Sequence, residues 1–84
     1  MTTTDSPEVE PGQVWENDDP RMAGHRVRVE RITRWSALLG GDVAVCTVVA
    51  VARNVSRDRI GRTTRIKVRR MRPGARGYRL VQEG

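Results

Sequence analysis

With 84 residues the chain makes one domain at most, and a domain of this size buries only a modest core. Its 16 Lys and Arg outnumber its 10 Asp and Glu, and fifteen of the sixteen are Arg, whose planar donor fork suits phosphate and carboxylate. A single Cys excludes a disulfide framework, no apolar run reaches membrane-spanning length, and the first ten residues lack the regions of a secretory leader, so a cytoplasmic protein is expected.

Residues 1–10 read as a disordered acidic tail without apolar periodicity. The single folded domain then spans 11–84 and opens at the turn signal Pro11-Gly12. Gln13 to Glu16 is a short first strand, with Trp15 expected over a loop or a barrel end. Asn17 to Gly24 is a long polar loop. From His25 to Glu30 the pattern alternates, Val27 and Val29 inward, Arg26, Arg28 and Glu30 outward. The alternation fails at Arg31-Ile32, which predicts a bulge or a strongly twisted strand end there. Thr33 to Gly41 reads as a loop, with a helical turn at Ser36 to Leu39 as the alternative.

Asp42 to Ala52 is the longest apolar run. It is apolar in both parities and rich in Val, as expected of a central strand covered on two faces. Cys46 lies within it as a small apolar filler. Arg53 to Gly61 is a polar turn region. Thr63 to Met71 returns as a strand, with Ile66 and Val68 inward and Arg65, Lys67 and Arg69 outward. A shift of parity at Arg70-Met71 points to a 3₁₀-like turn near Arg70 to Gly74, and Tyr78 to Val81 is the last strand. Five short strands without a convincing helix predict an all-β protein, a small five-stranded SH3-like barrel. An OB-fold needs more chain and an intervening helix, and a ferredoxin-like fold needs two helices.

Charge is segregated along the chain. Residues 1–19 hold six acids and no base, whereas Arg53 to Arg79 holds eleven bases and one acid, Asp58. Strand residues Arg65, Lys67 and Arg69, flanked by Arg57, Arg59 and Arg62 before them and Arg70 and Arg72 after, form a candidate phosphate-binding surface for DNA or RNA. Trp35, beside Arg34, is the candidate for base stacking. The same pattern also suits a solvated edge strand, or a module that docks on an acidic host or virion protein. Glu16, Asp18 and Asp19 are too few oxygen ligands for a metal site and better suited to internal cation partners. His25 has no nucleophile placed beside it, and CxxC, HExxH and Gly-rich phosphate-loop motifs are absent, so neither an enzyme nor a cofactor is expected.

Five blocks carry a resemblance. Pro11-Gly12-Gln13-Val14-Trp15-Glu16-Asn17-Asp18-Asp19-Pro20-Arg21 is followed by Arg26-Val27-Arg28-Val29 and Ala44-Val45-Cys46-Thr47-Val48. Gly61-Arg62-Thr63-Thr64-Arg65-Ile66 and Arg72-Pro73-Gly74-Ala75-Arg76-Gly77-Tyr78-Arg79-Leu80-Val81 complete the series. Together they resemble small uncharacterised proteins of actinobacteria and their phages, which share a PGxVWxDxDxR, GRxTRI and RPxxxGYxLV pattern. That group implies a setting and no activity; its members are often shorter where this chain carries Asn54 to Ile60. Gly12-Gln13-Val14 also resembles the opening of the KOW motif of ribosomal and transcription-factor barrels, which implies an SH3-like fold.

Overall fold

The computed structural model describes residues 8–33, 41–74 and 77–83. Most of the expected loop from Thr33 to Gly41, with its alternative helical turn at Ser36 to Leu39 and the stacking candidate Trp35, lies outside the described residues, as do positions 1–7 of the tail. Folding of the described chain begins at a turn whose chemistry is local. Gln13 N–H donates to the Glu10 carbonyl across Pro11-Gly12. Pro presets the first central φ, and Gly12 supplies the positive φ of 91° that the second position of this turn type requires.

Five strands follow: β1 (Val14–Asn17), β2 (Arg26–Thr33), β3 (Val43–Ala50), β4 (Thr63–Lys67) and β5 (Tyr78–Gln82). They form one antiparallel sheet in the order β4-β3-β2-β1-β5. Short 3₁₀ turns occupy Pro20–Met22, Arg57–Arg59 and Val68–Arg70, and among the described residues there is no α-helix. The first of these turns is capped by the Asp19 carboxylate, which accepts from Arg21 N–H at 2.9 Å. All-β architecture is therefore as expected. No ladder joins β4 to β5 among the described residues, so they are the two edges of the sheet.

One core cluster collects inward residues from every strand: Trp15, Val27, Val29, Ala44, Cys46, Val48, Ile66 and Tyr78, with Met71. Both edge strands contribute, through Ile66 and Tyr78, so the sheet curls over its own inner face. Trp15 is at the centre of this cluster with no exposed surface, not at a barrel end. Its indole N–H would be orphaned there without Gln13, whose side-chain oxygen accepts from it at 3.0 Å. The same oxygen accepts from Glu10 N–H, and the Gln13 amide donates to the Glu8 carbonyl. Residues 8–10 are thus tied to the sheet, and Val9 packs against the core.

The register shows where the strands depart from simple alternation. In β2 the pairing shifts between Val29 and Arg31, leaving Glu30 as the extra residue of a bulge. A bulge was expected one position later, at Arg31-Ile32. A second shift, between Arg26 and Val27, leaves Val49 of β3 without a partner residue. Val49 is consequently half-buried, while Val43 and Val45 are buried on the face opposite Ala44, Cys46 and Val48. The strand expected to run from Thr63 to Met71 stops at Lys67, and Val68–Arg70 is a 3₁₀ turn closed by Met71 N–H to the Val68 carbonyl. In a continued strand Met71 would share the outward parity of Arg65 and Lys67. The tight turn changes that phase and delivers Met71 to the core, where it is 2% exposed.

Candidate nucleic-acid interface

Ion pairing sorts the basic residues into two groups. On the side of β1, β2 and β5, cross-strand register sets Glu16 opposite both Arg26 and Arg79. Its carboxylate accepts from Arg26 at 2.9 Å and from Arg79 at 3.1 Å. The Arg26 hydrogen bond, reinforced by the charge of Arg79, holds the Glu16 carboxyl below its usual range. Arg21 is paired with Asp19, and Arg28 with Glu30. Asp18 accepts from Gly74 N–H and so anchors the β4–β5 connection. The acidic run Glu16, Asp18 and Asp19 is therefore divided among four internal partners, Arg26, Arg79, Gly74 and Arg21.

Between Arg53 and Arg72 such pairing is sparse. Asp58 reaches Arg62 at 3.9 Å, with both side chains mostly exposed. Arg53, Arg57, Arg59, Arg65, Lys67, Arg69 and Arg72 are exposed and make no ion pair with a described residue. Of the predicted site residues, Arg65 and Lys67 project from the outward face of β4. Arg57 and Arg59 lie in the 3₁₀ turn of the β3–β4 connection, with Arg62 just before β4. Arg69 and Arg70 belong to the Val68–Arg70 turn and Arg72 follows it, so the expected row of three on one strand face is a row of two.

Reasoning from sequence missed Arg31. It is exposed and pairs in register with Val45, which in turn pairs with Arg65. The three therefore form one row across β2, β3 and β4 on the outward face. The break in alternation after Val29 was the available signal, because the extra residue at Glu30 turns Arg31 to the side already occupied by Arg28.

Other reactive groups are withdrawn into the fold. Burial pushes the Cys46 thiol up to about 11, leaving it a neutral apolar filler near neutral pH. Tyr78 is buried opposite Asn17, and burial raises its hydroxyl pKa. His25 is half-buried, and its Nδ1 is enclosed without a hydrogen-bond partner. Burial, and secondarily the charge of Arg59, lower its pKa. Among the described residues, no group of three His, Cys, Asp or Glu is placed to hold a metal ion. No described helix is long and apolar enough to cross a membrane.

Fold and site together define a small antiparallel β-protein whose carboxylates pair with Arg21, Arg26, Arg28 and Arg79, while most cations of the β3–β4 connection, β4 and the turn after it make no ion pair with a described residue. No family model matches the chain, and no curated protein or solved structure matches it.

Proposed function

We propose that the chain is a small nucleic-acid-binding accessory protein of a cytoplasmic bacterial or phage setting. It contacts the phosphate backbone through the Arg-rich β3–β4 connection, β4 and the turn that follows, with little sequence specificity. The observation that carries this is the division of ion pairs: Arg21, Arg26, Arg28 and Arg79 are matched by carboxylates, whereas Arg57, Arg59, Arg65, Lys67, Arg69 and Arg72 make no ion pair with a described residue. Unmatched cations on a rigid strand and its flanking turns are suited to replacing the counterions condensed on a polyanion. An SH3-like barrel is the finer reading of the fold. The meander order and the 3₁₀ turn between β4 and β5 support it, as does the resemblance of Gly12-Gln13-Val14 to a KOW opening.

A second reading is a module that docks on an acidic protein surface. It is favoured by a groove of about 450 Å³ lined by Val49, Val51, Val55 and Ile60, with Arg53 and Arg57 among its walls. Ile60 is 43% exposed there. Electrophoretic mobility shifts with mixed DNA and RNA at two salt concentrations separate the two. Nucleic-acid binding is expected to fall steeply with salt, and Arg65→Ala with Lys67→Ala to flatten the log-affinity against log-salt slope by about two units. Absence of any shift at low salt would reject it in favour of the docking module.

A further inference from the structure

We infer that the outward face of β2, β3 and β4 is built to straddle double-stranded DNA, gripping the two phosphate backbones along the lips of a groove. This rests on the proposed nucleic-acid function and specifies its substrate.

The inference comes from register. Three consecutive rows cross the face: Arg28–Thr47–Thr63, Arg31–Val45–Arg65 and Thr33–Val43–Lys67. Cations therefore line both margins, Arg28 and Arg31 on β2, Arg65 and Lys67 on β4. The middle strand offers Thr47, Val45 and Val43. With strands about 4.8 Å apart, the two cationic margins stand roughly 10 Å from each other, and successive rows lie about 6.5–7 Å apart along the strands. A single strand of nucleic acid presents one line of phosphates and would use one margin. Two parallel margins separated by an uncharged strand match two lines of phosphate.

The floor between the margins agrees. Val45 is 5% exposed and Val43 9%, so they offer little apolar area to a base. Among the described residues the aromatic side chains, Trp15 and Tyr78, are both buried in the core. The face does not end at β2, because β1 continues it with Val14 beside Arg28, and so broad a surface cannot enter a major groove of about 12 Å that admits a helix or a two-stranded ribbon. A minor groove of about 6 Å, bordered by its phosphates, falls between the margins. The wide, shallow minor groove of an RNA duplex does not.

One carboxylate tempers the grip. Glu30, the bulge residue, accepts from Arg28 at 2.9 Å and from the Thr47 hydroxyl on the middle strand. A phosphate on the β2 margin must compete with it, so its removal frees a cation already in place.

The test compares one sequence as duplex DNA, single-stranded DNA and duplex RNA, with the full chain in fluorescence anisotropy at low and moderate salt. Duplex DNA is expected to bind at least fivefold more tightly than the other two. Arg31→Ala should remove most of that preference while leaving single-strand binding within twofold, and Glu30→Gln should tighten duplex binding severalfold. Both substitutions are at exposed positions, and circular dichroism and a melting curve confirm that the variants are folded. Equal or tighter binding of single strands or duplex RNA, or an Arg31→Ala variant that keeps the full duplex preference, overturns the straddling geometry while leaving nucleic-acid binding standing. Failure to bind any of the three rejects the proposed function itself.

Discussion

Gln13 shows how one buried polar side chain can be worth more than its size. Its side-chain oxygen takes hydrogen bonds from the Trp15 indole and from Glu10 N–H, and its amide reaches Glu8. Gln13→Ala strips a partner from a fully buried indole, so a loss of about 1–3 kcal/mol is expected in urea denaturation, accompanied by earlier proteolysis before Pro11. His25 is the other residue whose burial has a consequence. Its folded pKa is lowered from 6.5, first by burial and then by the charge of Arg59. Below pH 6.5 the unfolded chain therefore binds a proton that the folded chain does not. The stabilising contribution is complete above pH 6.5 and is lost as pH falls through the lowered folded value. Melting temperatures measured from pH 7.5 downward should decline over that window, and His25→Gln should flatten the decline.

At the scale of elements, irregular positions decide which side chains share a face. The Glu30 bulge brings Arg31 into line with Arg28, and the 3₁₀ turn after Lys67 exchanges an outward Arg69 for a buried Met71. The connection from that turn to β5 is equally constrained. Tyr78 N–H donates to the Arg72 carbonyl and Gly77 N–H to the Gly74 carbonyl, closing the backbone tightly on itself. A Cβ at Gly77 would run into the Arg72 carbonyl oxygen, and that backbone is held in place by the bond to Tyr78. Gly77→Ala is thus expected to destabilise by about 1–3 kcal/mol, read as a shift in denaturation midpoint, even though only one methyl is added.

For the molecule as a whole, one cluster supplies the core and no described helix covers it. Far-UV circular dichroism should show strand and turn with little helix. Val27→Ala, at a fully buried position, should cost about 1–3 kcal/mol and unfold a substantial fraction of so small a domain. Val81→Ala, at the β5 bulge and 38% exposed, should stay within about 0.5 kcal/mol of the parent. Equal losses at the two sites would mean that the core is not where the cluster puts it.

Local pattern alone identified the five strands, the turn at Pro11-Gly12, the two-sided burial of β3 and the outward Arg65 and Lys67. Period-two alternation and turn chemistry act over a few residues and leave their mark in the sequence. Tertiary structure decided the rest. The depth of Trp15 depends on a partner, Gln13, and on strands far along the chain. Whether a given Arg is neutralised depends on which carboxylate lies opposite in register, as Glu16 does for Arg26 and Arg79. The inward turn of Met71 and the alignment of Arg31 with Arg65 follow from a change of backbone phase and from pairing across β3. Charge count is a property of composition, but the face on which unpaired charge accumulates is a property of pairing, which no single strand contains.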